Sequence, residues 1–344
     1  MRLTSFFIPV LAVLAAFAIG AILIAISGVA PLQAYQAMLH SAFGNRNNWG
    51  ETLVKMVPLL LAGLGTAVSL RARIFNIGAE GQIYIGALGA GFVGLFLGDL
   101  PAVLGIPLLL IAGFVAGGLW GGLAGFLKQR YQANEIIVTL MLNYVAIQIV
   151  SFLVSGPWRD PRGTEAFTAR FSAGTLLPVV LPGTRLHLGI VVAILAVVAV
   201  WWMVHHTVLG YQITVAGANE LAARYGGIQT GRLILITMLI SGGLAGLAGA
   251  GEVAGLHHRV LANFSPGYGY TAIAIAMLGR QEPLGVALAA FLFAALVIGI
   301  NGMQDLTGVP VALVFIIEGL VLLFVLGTEL LRQKQASRLM GDRA

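Results

Sequence analysis

The chain has no cysteine, only three lysines, and charged side chains at just 9% of its 344 positions. Each scarcity removes a class of chemistry. Without cysteine there is no disulfide framework, thiolate metal site or cysteine nucleophile. None of Lys55, Lys128 and Lys334 follows a glycine, so the Gly-Lys pair of a phosphate-binding P-loop is missing and ATP has no site of that kind. Neither HExxH nor G-x-S-x-G appears, nor do paired carboxylates within the apolar runs. That leaves an intramembrane enzyme poorly supported. A soluble domain carries roughly 25% charged residues, so this composition points to lipid as the solvent.

What fills the space is 59% hydrophobic residues in long continuous runs. Backbone groups must be satisfied internally in hydrocarbon, and runs of this kind are helices and not the ten-residue alternating strands of a barrel. The expected fold class is all-α, a polytopic membrane protein read as one transmembrane domain over 1–344. Apolar spans are expected near 5–27, 57–70, 83–98, 102–127, 135–155, 187–205, 233–253, 271–281, 284–302 and 311–327. The first follows Met1 and Arg2 but is longer than a signal-peptide core and lacks a clear small-residue cleavage site, so it is read as a retained helix. The net charge of +6 is spread over loops and tail, a pattern of topology signals and anionic-lipid contact and not of a nucleic-acid groove. With the N-terminus in the cytoplasm, twelve basic residues fall inside and seven outside. The positive-inside rule favours that orientation, with both termini cytoplasmic. The outer count comes mainly from 156–186, an irregular extracytoplasmic loop rich in proline and glycine.

A short echo indicates two halves. "FNIGAEGQIYIGALGA" at 75 and "FSPGYGYTAIAIAMLGR" at 264 share a phenylalanine, a glycine three residues later and a small-residue apolar run, as an inverted five-helix repeat would. Glycine is abundant, at 46 residues. Gly113, Gly117, Gly121 and Gly125 recur at four-residue spacing, as do Gly242 and Gly246, which predicts close helix packing. The pairs His205–His206 and His257–His258 lack the spacing of a helical metal site and are placed at interfaces.

The segment 206–232, "HTVLGYQITVAGANELAARYGGIQTGR", is read as a long cytoplasmic loop. Within it Asn219 suits an N-cap and Glu220 a first turn, Leu221 to Arg224 favour helix, and Gly226 with Gly227 stop it. A short surface helix is expected there. Its small residues suit a groove in another protein, with Arg224 and Tyr225 as anchors.

"PLLLAGLGTAVSLRARIFNIGAEGQIYIGA" at 58, "NEIIVTLMLNYVA" at 134, "GANELAARYGGI" at 217 and "SPGYGYTAIAIAMLGR" at 265 together resemble the permease subunits of ABC importers for nucleosides and simple sugars. That family is similar in turn to the ribose and branched-chain amino acid permeases. The likeness runs from about residue 31 to 327. It implies about ten spans in a bacterial inner membrane, a second permease chain forming a heterodimer, cytoplasmic ABC ATPase subunits, and an extracytoplasmic substrate-binding protein or lipoprotein. It implies no cofactor on this chain, ATP and Mg being handled by the ATPase. It also implies that Gly217, Asn219, Glu220, Ala222, Ala223, Arg224, Tyr225 and Gly226 form the coupling helix that docks on the ATPase. Glu318 departs from the family's habit of an uncharged polar residue at that place.

Polar side chains inside spans normally face a bundle interior or a water-filled path. Asn76, Glu80, Gln82, Asn143 and Asn301 are therefore expected along the translocation route. Amides both donate and accept, as sugar hydroxyls do, and Tyr144 offers an aromatic surface to a base. The alternative is a tight helix break at Asn76 and Gly78, with Glu80 paired to Arg71 or Arg73. A second function class, an ion-coupled transporter using Glu80, Glu252 and Glu318, has no need of a docking helix.

Overall fold

In this computed structural model the chain is described over residues 4–98, 100–163 and 165–310 and at scattered helical positions from 312 to 327, with side chains from residue 14. Among these residues the regular structure is helical, with three isolated bridges and no longer strand. The helices are α1 (Thr4–Ile26), α2 (Pro31–Phe43), α3 (Arg46–Arg71), α4 (Ala79–Phe96), α5 (Ala102–Tyr131), α6 (Glu135–Ser155), α7 (Gly189–His206), α8 (Val208–Ala218), α9 (Glu220–Tyr225), α10 (Thr230–Gly251), α11 (Tyr268–Leu278) and α12 (Pro283–Thr307).

The all-α membrane fold is as expected, but the count of ten spans is not reproduced. Six helices among the described residues are long and apolar enough to cross a membrane: α3, α5, α6, α7, α10 with the turn that extends it, and α12. α1 and α2 together would make a seventh, bent by 118°. α4 is 18 residues long and α11 only 11. The span expected at 311–327 lies mostly outside the described residues. Two departures have a common cause. α3 begins well before 57, and α2 was not anticipated, because Arg46, Asn47 and Asn48, like Gln33, Gln36 and His40, interrupt apolar runs without interrupting helix. Hydropathy measures fit to lipid, and helix needs only a compatible backbone.

By compactness the chain divides into two units, Met1–Thr52 with Leu292–Ala344, and Leu53–Phe291. In the first, α1 and α2 are joined through Gly28, whose φ of 86° supplies a left-handed turn. Tyr35 of α2 packs edge-on against Phe17 of α1, centroids 5.4 Å apart.

The second unit is centred on α4, α5 and α10. Gly113, Gly117 and Gly121 on α5 meet Gly242 and Gly246 on α10 backbone to backbone, while Gly125 lies against Met238. A Cβ at Gly117 would strike the Gly242 carbonyl oxygen, and one at Gly246 would strike that of Gly113. Gly86 brings α4 onto Gly246 in the same way. Lipid offers no hydrophobic gain for helix association, so close dispersion contact of this kind supplies the attraction.

α10 continues into a π-helical turn, Glu252–His257, which ends at His258 with φ 59°. The irregular segment 156–186 is laid along this turn and the residues just after it. Thr168 N–H donates to Val260 O at 3.0 Å, Phe171 N–H to His258 O at 2.9 Å and Leu177 N–H to Ala254 O at 3.1 Å. Arg259 stacks over the Phe167 ring at 4.4 Å. The segment expected as a loop at 206–232 is largely helix, because Thr207 accepts from Gly210 N–H at 3.2 Å and so caps α8.

Candidate functional site

The two halves of the sequence echo fold alike. In each, a polar residue after the phenylalanine turns back on the backbone ahead of a helix. Asn76 Oδ1 accepts from Gly78 N–H at 3.0 Å, immediately before α4. Ser265 Oγ accepts from Gly267 N–H and Tyr268 N–H, each at 3.3 Å, immediately before α11. The two helix starts then meet. Glu80, in the first turn of α4, accepts from Gly269 N–H, in the first turn of α11, at 2.7 Å. The Ser265 hydroxyl and the Gly267 amide also bond this carboxylate. A Cβ on Gly269 would fall on the backbone of Ala79 and Glu80. Two positive helix ends are thus brought together around one negative group, which both dipoles favour.

Glu80 is therefore not paired with Arg71 or Arg73, the alternative that the sequence left open. Arg71 Nη2 is instead 2.6 Å from Glu282 Oε1, in the turn between α11 and α12. Nothing in the sequence flagged Glu282, since a partner 211 positions away leaves no local pattern.

Asn76 and Gln82 form a reciprocal amide pair. Asn76 Nδ2 donates to Gln82 Oε1 at 3.0 Å, Gln82 Nε2 donates to Asn76 Oδ1 at 3.1 Å, and Asn76 Nδ2 reaches Ser241 Oγ of α10 at 2.9 Å. Asn143 of α6 bridges the two helix starts. Its Oδ1 accepts from Gly81 N–H at 2.8 Å, while its Nδ2 donates to Ile77 O at 2.9 Å and lies 3.4 Å from Tyr270 OH. Asn76, Glu80, Gln82, Asn143 and Ser241 are all at most 2% exposed. Four of the six residues expected along the route thus come together, with their polar atoms turned on one another.

Tyr144 and Asn301 do not join them. Tyr144 is 59% exposed beside Val145, Gln148 and Phe152, on an open face of α6. Tyr270, which composition alone did not single out, is 42% exposed. Asn301 is exposed on the part of α12 that belongs to the first unit. Of the carboxylates named for ion coupling, Glu252 is buried, with Oε2 3.4 Å from His257 Nε2, and Glu318 lies outside the described residues.

At the far end of α3, α9 spans Glu220–Tyr225, with Asn219 Oδ1 accepting from Ala222 N–H at 3.1 Å. Glu220 pairs with Arg224 at 2.6 Å, and Tyr225 is 93% exposed. Ala222 and Gly226 are exposed, whereas Ala223 and Gly217 face inward. A pocket of about 190 Å³ beside α9 is lined by Arg73, Ile74, Lys128, Gly217, Glu220 and Thr230, among others.

Residues 48–326 match the family described as "Branched-chain amino acid transport system / permease component". The chain belongs to that family. It is the permease component of an ABC transport system, in which separate subunits hydrolyse ATP. Among its relatives, the glucose ABC transporter permease protein TsgB13 of Haloferax volcanii is 41% identical, over 94% of this chain and 88% of its own length. The guanosine ABC transporter permease protein NupP of Bacillus subtilis is 36% identical over 96% of both. The nucleoside ABC transporter permease protein NupB of Lactococcus lactis is 31% identical, over 92% of this chain and 90% of its own. Both of those bacteria also have a second permease protein of the same description, 26% identical to this chain. No solved structure matches.

Proposed function

We propose that this permease carries nucleosides into the cell across a bacterial inner membrane. Both termini and α9 lie in the cytoplasm, and 156–186 lies outside. It works with a second, different permease chain, an ABC ATPase that holds ATP and Mg, and an extracytoplasmic substrate-binding protein or lipoprotein.

The observation that carries the solute class is the occupied cradle between α4 and α11. Discontinuous helices in transporters commonly aim their N-terminal amides at an anionic part of the solute. Here Glu80 already fills that place, and a second anion would meet a buried carboxylate. The arrangement suits an uncharged solute. In front of it stand the exposed rings of Tyr144 and Tyr270, flat apolar surfaces of the kind on which a base stacks. We place the route along this face, which a second permease would close. Asn76, Glu80, Gln82 and Asn143 hold its wall from behind. α9, with Asn219, Glu220, Ala222, Arg224, Tyr225 and Gly226 at or near the surface, docks on the ATPase.

A second reading, glucose or another simple sugar, is favoured by the 41% identity to a glucose permease protein. Uptake decides between them. In proteoliposomes holding the full complex with ATP inside, labelled guanosine should accumulate, and adenosine or uridine should compete while glucose and ribose do not. Accumulation of labelled glucose, unaffected by nucleosides, would replace the first reading with the second.

A further inference from the structure

We infer that Arg71 is the positioning residue through which movement of α8 and α9 reaches both helix starts. The inference rests on the reading of α9 as the docking element. Arg71 makes two contacts of different kinds. Its carbonyl oxygen lies against Gly217, near the end of α8, so closely that a Cβ there would overlap it, with Ala72 Cα also in contact. No side chain stands between the two backbones to absorb a displacement by changing rotamer, so α8 and the end of α3 must shift together. From Arg71 the chain runs through the turn at Arg73, φ 56°, directly to Asn76 and the start of α4.

The side chain takes the same displacement elsewhere. Arg71 Nη2 holds Glu282 Oε1 at 2.6 Å, and Glu282 Oε2 is 3.3 Å from His205 Nε2 at the end of α7. Glu282 sits in the α11–α12 turn after two left-handed residues, Arg280 and Gln281 with φ 56° and 59°. α11 is short, and its other end is Gly269 on Glu80. One residue therefore touches α8 by its backbone and, by its guanidinium, the turn that joins α11 to α12. It stands at the head of the turn that starts α4. The guanidinium also keeps Nη1 buried without a hydrogen-bond partner among the described residues, so half of its donor fork is uncommitted in this arrangement. A claim of transmission needs elements that both ends bias; here they are the two helix starts, joined at Glu80.

The test uses the full complex in proteoliposomes, with ATP hydrolysis and solute uptake read on the same vesicles. Guanosine is the probe, or glucose if the competition between solutes selects it. Tyr225→Ala, on α9 alone, tests the docking reading: it should reduce co-purification of the ATPase at least threefold, and wild-type co-purification would overturn that reading. Arg71→Gln and Glu282→Gln test the inference. Both should keep the ATPase bound and hydrolysing at half the wild-type rate or more, while solute moved per ATP falls at least fivefold. Arg71→Lys, which keeps the charge, should stay within twofold of wild type. A ratio within twofold of wild type in both glutamine variants would overturn the inference even if Tyr225→Ala behaves as stated. So would a loss in Arg71→Gln that is confined to the amount of complex assembled.

Discussion

Glu80 and Gly269 stand 189 positions apart, the same offset that separates Phe75 from Phe264, and they touch. They are thus matching positions of the two echoed segments, in contact with one another. Asn143 repeats the relation, since it bonds Gly81 and approaches Tyr270, which differ by the same offset. The two segments differ in chemistry where they meet: one contributes the carboxylate and the other the bare amide that bonds it.

Replacing Gly269 by alanine puts a methyl group into the Ala79–Glu80 backbone and should prevent α4 and α11 from meeting. Glu80→Gln keeps the shape but turns an amide group toward the donors of the 265–269 turn. We expect Gly269→Ala to abolish recovery of folded protein and Glu80→Gln to cost about 1–3 kcal/mol. Thermal unfolding in detergent measures both. A Gly269→Ala variant as stable as the parent would show that the two helix starts do not meet as described.

The Asn76–Gln82 pair predicts strong non-additivity. Either single leucine variant strands the other amide and, for Asn76, the Ser241 hydroxyl, at roughly 1–3 kcal/mol each. The double variant should cost less than the sum, because a pair removed together leaves fewer unpaired groups. Additive losses would mean that the two amides do not pair. Uptake per assembled complex should change less than twofold in the singles, since both groups are turned inward.

Acid should weaken the fold through His187. Its ring is buried between Gly189 and Gly255, and burial pushes its pKa down to about 4, with Gly189 N–H donating to Nδ1 at 3.1 Å. The folded chain refuses a proton that the unfolded chain accepts near 6.5. The stabilisation is therefore complete above about pH 6.5 and drains away as pH falls toward about 4, by roughly 3 kcal/mol in all. His187→Asn should lower stability at about pH 7 but flatten its dependence between roughly pH 6.5 and 4.5. An unchanged slope in the variant would assign the acid sensitivity to another group.

On α9, Ala222→Trp adds bulk to an exposed position and Asn219→Ala removes the cap. The tryptophan should leave folding intact and cut binding-protein-stimulated ATP hydrolysis at least fivefold. The cap deletion should cost about 1 kcal/mol locally and show as faster amide exchange at 220–225. Normal stimulated hydrolysis in Ala222→Trp would move the docking surface elsewhere.

The sequence was most legible where physics acts over short range. Asn219 before Glu220 names its own cap, four-residue glycine spacing names a packing face, and Phe-x-x-Gly twice over names two similar turns ahead of helices. It was least legible where partners are remote. Arg71 with Glu282 and Glu80 with Gly269 are separated by about half the chain, and burial decided that Asn76 and Gln82 look at each other. Span counting suffered for a related reason, because the apolar run at 271–281 reads as a span, whereas α11 is only 11 residues long and is seated on α4 at Glu80.

Backbone pressed on backbone at Gly86, Gly113, Gly117, Gly242 and Gly246 leaves no side chains at those crossings to trade one rotamer for another. A joint without interchangeable teeth has only one seating. We expect α4, α5 and α10 to move as one block during transport, with sliding confined to its margins.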